Sequence, residues 1–468
     1  MSGRSDACHF LSATEALRRI RGGELTAVEF LEACLAWIDR IEPRLKAWAY
    51  LSPDTARTAA RAIDRAIQQG NDPGPLAGIP IGVKDIFNTY DMPTAMGSPL
   101  WAGFTPGNDA RVVSQLRLAG SVIPGKTATA ELAVNFPGPT VNPHNPKHSP
   151  GTSSSGSAVA VAAYMVPLAL GSQTSGSTIR PASYCGVYGF KPSFGLVPRT
   201  GCLKTADTLD TVAFFARTVD DLELTFNVAR VDGSNYPISH ARLTDPSRAK
   251  PADRAWRVVL VRGPKWSEAE TYARDALVTY ASRLAACRGV IVDEAELAPE
   301  FDQAHEVHES IYDKALSYYF KEEFERGGAL LSPLLKSMIL RGQTIPLDRY
   351  RALLRRQADM AIALDRWFEG RYDVVLTLST GGEAMKGLET RDRPDNCLIW
   401  ALCGVPAMNV PAFVGPTGLP VGAQLVARRY GDFDLLRFAR FLSSNALAPD
   451  ATLPHPVLCE QYSEGVNV

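Results

Sequence analysis

The run Ser149-Pro150-Gly151-Thr152-Ser153-Ser154-Ser155-Gly156-Ser157 crowds hydroxyl side chains onto a glycine-containing loop, just ahead of an alanine-rich apolar stretch. A second cluster, Gly171-Ser172-Gln173-Thr174-Ser175-Gly176-Ser177-Thr178-Ile179-Arg180-Pro181, follows that stretch. A serine hydroxyl attacks a carbonyl well only when a base takes its proton. Small residues let backbone approach a ligand closely, and consecutive amides can face a developing oxyanion. Two surface linkers would have a similar composition, but flexible linkers rarely flank so apolar a run. The candidate base lies upstream, where Ile79-Pro80-Ile81-Gly82-Val83 runs into Lys84 and Asp85. Most lysines are solvated surface charges. Lys84 instead ends an apolar β-like run whose flanks should be buried. A lysine is a base near pH 7 only when its pKa falls by about three units, roughly 4 kcal/mol. Burial is the usual source of such a fall.

Four segments, in this order, carry a resemblance to a known family: Gly78–Asp85 (GIPIGVKD), Ser149–Ala163 (SPGTSSSGSAVAVAA), Gly171–Gly195 (GSQTSGSTIRPASYCGVYGFKPSFG), and Gly404–Pro411 with Gly418–Val426 (GVPAMNVP, GLPVGAQLV). Across nearly its whole length the chain resembles the amidase signature family. The resemblance implies a cofactor-free amidohydrolase with a Ser–Ser–Lys triad, cleaving the C–N bond of a linear carboxamide. Ser177 matches the nucleophile, Ser153 the bridging serine that follows a cis peptide, and Lys84 the base. The twenty-four-residue separation of Ser153 and Ser177 equals the family spacing and selects Ser153 from the serine run. The backbone N–H groups of Thr174, Ser175, Gly176 and Ser177 would correspond to the oxyanion hole. Thr152, Ser155 and Ser175 stand where family members commonly have glycine, which leaves loop geometry and substrate range open. Alternatives within the resemblance are the glutaminase-like component of a tRNA-dependent amidotransferase and an aryl acylamidase or carbamate (urethane) hydrolase. A non-catalytic amide-binding protein is disfavoured by the joint presence of Lys84, Ser153 and Ser177.

Other motifs compete less well. Gly120–Thr127 fits GxxxxGK[ST], but a helical segment precedes it, the β-like residues lie inside it, and Pro124 lacks the amide a phosphate would need. His305 and His308 fall within one helical turn without a third ligand or HExxH spacing, so a polar helix face is the expected reading and no metal is implied. No GxSxG elbow is present. Cys185, close after Ser177, is expected to pack rather than react.

The elements that must position these residues are helical at first. Ser12 with Glu15 and Thr26 with Glu29 have capping-box spacing. Leu31, Leu35 and Ile38 recur at helical intervals, and a third helix runs from about Thr55 to Gly70, giving a helical N-terminal segment over residues 1–70. From Pro75, short β-like runs at Ile79–Val83, Ser121–Ile123, Val258–Val261, Val290–Val292 and Val374–Leu378 alternate with helices such as Arg111–Ala119. That alternation predicts an α/β fold: one large domain over 1–468, a mixed central β-sheet covered by α-helices on both faces. Ala158–Leu170 reads as a buried helix, Asp232–Asp253 as a surface connection, and about 300–370 as a helical insert. Asn135–Val141, His305–Tyr319 and Leu378–Trp400 are the expected specificity segments. Their aromatics Phe136, Tyr312, Tyr318 and Trp400 are expected by default to pack in the core.

Composition bounds the rest. The chain has 468 residues, 46% hydrophobic and 21% charged, with 49 basic against 50 acidic side chains. A net charge of −1 steers it toward neither nucleic acid nor anionic membrane. Eight cysteines without a CxxC pair read as reduced thiols in a cytoplasmic protein, and the first residues lack a signal-peptide core. The expected partner is a small-molecule amide, with a homodimer possible.

Overall fold

The computed structural model describes residues 8–449 apart from 234, 235, 247 and 389–391. Cys459 and the extreme N-terminal residues therefore lie outside the described residues. Among the described residues, eleven strands form one sheet: β1 Trp48–Leu51, β2 Ile81–Lys84, β3 Gly125–Thr127, β4 Leu168–Gln173, β5 Tyr188–Lys191, β6 Thr211–Ala216, β7 Trp256–Leu260, β8 Val290–Glu294, β9 Val374–Leu378, β10 Ala407–Val414 and β11 Pro420–Ala427. Their order is β1-β3-β2-β4-β6-β5-β10-β11-β9-β7-β8. The trio β3-β2-β4 is parallel, as is β9-β7-β8, and the strands between the two trios pair antiparallel. The expected mixed α/β sheet is present.

Side chains on successive strand residues point to opposite faces. Leu168 and Leu170 of β4, Phe214 of β6 and Met408 of β10 fill one core. Ala169 and Phe215 turn the other way, against Leu31, Ile38 and the Ala158–Ala163 run. On that second face, Val259, Val375 and Val426 meet Ile311, Leu335, Met360 and Leu364 of the helical insert. Both faces are therefore covered by helices.

Local readings fared unevenly. Thr26 and Glu29 form the full capping box, at 3.0 and 2.8 Å. Ser12 accepts from the Glu15 amide, but Arg18 and Arg19 take the Glu15 carboxylate, so the second half of that box is missing. The Ala158–Leu170 helix is corrected: a helix spans Ser155–Ala162, Tyr164 has φ 58°, and β4 starts after Pro167. Proline holds its preceding residue out of the helical region, which favours this break. Ser121–Ile123 makes only an isolated bridge at Val122, because Pro124 brings no N–H, and the strand forms at Gly125–Thr127. The 232–253 connection carries a short helix, Pro237–Thr244. Tyr318 and Phe136 are exposed, not core, whereas Tyr312 and Trp400 are buried. Among the described residues, no helix is long and apolar enough to cross a membrane.

Candidate active site

Lys84 is the last residue of β2, where Ile81 and Val83 face one core and alternation turns Lys84 the other way. β4 runs parallel beside it, with Val83 level with Leu170, so both strands deliver their C-terminal ends to the same place. After Gln173 the chain of β4 turns through Thr174–Ser177 into the Ile179–Cys185 helix. The serine loop enters from above the same end and starts the Ser155–Ala162 helix. That helix sits very close to its neighbours: a Cβ on Gly156 would lie 2.2 Å from the Ala47 carbonyl oxygen. Only glycine fits there.

The ammonium nitrogen of Lys84 is fully buried and lies 2.8 Å from Ser153 Oγ, 2.9 Å from Ser154 Oγ and 2.8 Å from Ser172 Oγ. Burial depresses its pKa to about 7, against a smaller upward pull from Asp210. Desolvation penalises the charged form, and three neutral hydroxyls do not replace a carboxylate. The Thr152–Ser153 peptide is cis. Ser177 is buried, its carbonyl accepting from the Ser154 amide at 3.3 Å. Its hydroxyl makes no hydrogen bond to a described residue, so Lys84 and Ser153 are brought together directly and Ser177 stands next to them unlinked.

The loop from Thr174 to Ser177 is held by its carbonyls and side chains rather than by its amides. Thr174 Oγ1 donates to Asp210 at 2.7 Å, and the His308 ring donates to the Thr174 carbonyl at 2.9 Å. Gln173 Oε1 accepts the amides of Thr178 and Ile179, each at 3.0 Å. No acceptor among the described residues takes the backbone N–H of Thr174, Ser175, Gly176 or Ser177. Four consecutive donors are thus left open, which suits a developing oxyanion.

His308 corrects the expected polar helix face. It is fully buried, and burial lowers its pKa to about 4. His305, one turn earlier on the Ala304–Tyr319 helix, donates to the Asp395 carbonyl at 2.9 Å. Both rings spend their Nε2 on carbonyl oxygens and link the insert to two loops of the site. Arg180, Asp392, Asp395 and Asp210 were also missed. Arg180 lies inside a quoted motif, but the three carboxylates come from distant text without a local signature.

Several weaker signals resolve cleanly. Lys126 of the GxxxxGKT run is buried 3.0 Å from Asp85 and 2.7 Å from Thr94, which leaves no cation for a phosphate. The Cys185 thiol is buried against the Pro150 carbonyl and burial pushes its pKa up, which disfavours the thiolate and fits a packing residue. Thr152 fits its position because its amide and hydroxyl both donate to Asp392 Oδ2, at 3.0 and 2.7 Å. Ser175 Oγ lies 3.5 Å from His308 Nε2, and Ser155 opens its helix.

A cavity of about 480 Å³ opens beside these loops, walled by Thr152, Ser175, the His305–Asp313 face of the insert and residues 392–395. Thr152 and Ser175 of that wall are close chain neighbours of Ser153 and Ser177, which do not line it themselves. Two of the three expected specificity segments, His305–Tyr319 and Leu378–Trp400, contribute to the cavity, and Asn135 contributes from the third.

Residues 29–436 match the family model described as Amidase. The chain is 33% identical to the A component of the glutamyl-tRNA(Gln) amidotransferase of Chloroflexus aurantiacus, over 92% of this chain and 95% of that protein. It is also 33% identical to a putative amidase, AmiD, of Mycobacterium tuberculosis, over 92% and 93%. Among solved structures, the native peptide amidase of Stenotrophomonas maltophilia superposes with a TM-score of 0.80 at 27% identity, covering 95% of this chain and 98% of that one.

Proposed function

Because the chain belongs to the amidase family, we propose that it hydrolyses a carboxamide C–N bond through an acyl-enzyme on Ser177, with Ser153 as relay and Lys84 as base. Neutral Lys84 draws a proton from Ser153, which draws one from Ser177 as its Oγ bonds to the carbonyl carbon. The oxyanion forms against the open amides of Thr174–Ser177. The lysine ammonium then returns a proton through Ser153 to the departing nitrogen, and the C–N bond breaks. Water repeats the sequence on the acyl-enzyme and releases the acid. The cycle asks the Ser177 hydroxyl to turn toward Ser153. Catalytic hydrogen bonds often close only when substrate is bound.

The observation that carries this reading is a buried lysine 2.8 Å from Ser153, with its pKa brought down to about 7. Ser177→Ala and Lys84→Ala should each lower turnover of a responsive amide at least about 10³-fold. Circular dichroism should show both variants folded. The assay is a panel of primary amides, anilides and carbamates. Wild-type-like rates in either variant would refute the assignment.

A second reading follows from the similarity to the amidotransferase component, in which the chain would act only beside partner chains. Co-purification of such partners, with an inactive isolated chain, would favour it. Turnover by the isolated chain would remove it.

A further inference from the structure

A second cavity, of about 230 Å³, shares no lining residue with the one beside the serine loops. It lies where the start of β7, the turn after the Leu347–Phe368 helix, the end of β11 and the 248–251 connection meet. Its carboxylates are already committed. Asp373 accepts from the Arg254 guanidinium, at 2.6 and 3.0 Å, and from the Arg257 amide at 2.8 Å. Glu369 meets Arg428 at 3.1 Å. Asp365, just outside the lining, holds Arg428 at 2.6 Å and Arg248 at 3.4 Å. Asp434 takes the Lys250 amide at 3.0 Å and the Arg437 guanidinium, one turn along its own helix. Lys250, Arg257, Arg371 and Arg429 also line the cavity, and none of them has an ion-pair partner among the described residues.

An exposed arginine without a carboxylate is ordinary. Four unmatched cations around one concavity are not, because like charges held together repel. Lys250 shows the cost most clearly. It is buried, its ammonium donates to the Pro251 carbonyl at 2.8 Å and lies 4.7 Å from the centre of the Trp256 ring, and burial lowers its pKa. Arg257 gives one N–H to the Gly370 carbonyl at 2.9 Å, and Arg371 one to the Trp367 carbonyl at 3.0 Å. A guanidinium has five N–H donors, so each keeps most of its fork for a ligand. Arg429 keeps a buried Nε–H that meets no acceptor among the described residues. A carbonyl satisfies a donor without offsetting its charge. A polyvalent oxyanion does both, and arginine forks match the geometry of phosphate.

We propose that this cavity is a binding site for the phosphate group of a phosphorylated or pyrophosphorylated small molecule. A single carboxylate would offset one of the four unmatched charges and leave three. A phosphate dianion or a pyrophosphate offsets most of them. The site shares no residue with the proposed acyl-transfer machinery, so it stands or falls apart from the amidase reading. A phosphate bound there would also tie the 248–251 connection to the adjoining ends of β7 and β11.

The test is isothermal titration calorimetry on the full chain at fixed ionic strength, with pyrophosphate, inorganic phosphate and acetate as probes. Wild type should bind pyrophosphate with a Kd below about 100 μM, at least about tenfold tighter than acetate. The double variant Arg257→Gln/Arg371→Gln removes two charges from the lining and breaks no ion pair. It should bind pyrophosphate at least about tenfold more weakly than wild type. Arg61→Gln removes a charge from the Pro53–Gln68 helix, outside the cavity, and should leave the Kd within about twofold. Should the double variant fail to fold, Arg371→Gln alone gives the reading, because that side chain is exposed, with a Kd raised at least about threefold. Pyrophosphate held instead by the open amides of the serine loop would bind the cavity variants as tightly as wild type. That result, no binding of either phosphate probe by wild type, or equal affinity for acetate overturns the site. An equal loss in Arg61→Gln would reduce the effect to net charge and overturn it as well.

Discussion

Burial brings the Lys84 pKa to about 7, so the proposed base changes its charge across neutrality. Below that value the amine is protonated and idle; above it the base is present. kcat/KM should therefore climb about tenfold per pH unit on the acid side and level off above about pH 7. A profile flat from about pH 5.5 to 8.5 would count against Lys84 as base. Three hydroxyls meet its nitrogen, and they should not be equal. Ser153→Ala removes the relay, whereas Ser154→Ala and Ser172→Ala remove only positioning bonds and should cost about 10–100-fold in kcat. Rates that rank Ser172→Ala below Ser153→Ala would reassign the relay. Lys84, Ser153 and Ser177 were legible because each stands in a segment whose text resembles a family motif. Ser154 and Ser172 stand in the same segments, yet spacing alone does not say which hydroxyl reaches an amine arriving from another strand. Asp392 was invisible because it meets Thr152 across 240 residues of sequence.

Elements with long periodicity were read well, and glycine-rich ones were not. The helices from Ala27 and from Leu347 carry apolar residues at helical intervals. Strand β4, by contrast, follows an alanine run and contains Gly171, so its alternation is hidden; its first half, Leu168–Leu170, was read as the end of a helix and its second half as part of the Gly/Ser cluster. The Ala304–Tyr319 helix was located, but its histidines looked solvated because sequence does not reveal which loop will close over them. His308→Ala should free the Thr174 carbonyl, lower kcat more than it raises KM, and cost about 1–3 kcal/mol of stability. His308→Gln, which still offers a donor, should recover part of kcat. Equal kcat in His308→Ala and wild type would show that the carbonyl needs no tether. Acid should act through the same ring. The unfolded imidazole takes a proton below its ordinary value of 6.5, whereas the folded one resists until about 4. The unfolded state thus binds more protons in that window, and His308 contributes a loss of about 3 kcal/mol as pH falls from 6.5 to 4. His308→Gln should show a visibly shallower fall of melting temperature over that range.

At the scale of the molecule, the eleven-stranded sheet is continuous, and its helices share cores across it. Buried Arg217, just after β6, donates to the Val161, Val166 and Leu11 carbonyls, at 3.1, 3.0 and 2.6 Å. Asp221 accepts the Ala13 and Thr14 amides, at 2.9 and 2.8 Å. The N-terminal helices are thereby fastened to the sheet. Thermal unfolding should be a single transition by calorimetry and by both far- and near-ultraviolet dichroism, and Arg217→Ala should lower its midpoint by several degrees. Two resolved transitions would argue for separately folding parts. The alternating β-like and helical text foretold the fold class and the two-faced cover. The strand order did not follow, because the antiparallel centre is assembled from strands as far apart in the chain as β5 and β10. Since β2 and β4 are hydrogen-bonded neighbours, the spacing between the Lys84 amine and the Ser172 hydroxyl is built into a backbone ladder, while much of the cavity wall comes from the insert and the 392–395 loop. On the proposed mechanism, reactivity and selectivity are therefore written in different parts of the chain. An engineer could recarve the walls at Met338 or Leu398 for a new acyl group and leave the proton route alone, provided position 308, where the two parts touch, stays as it is.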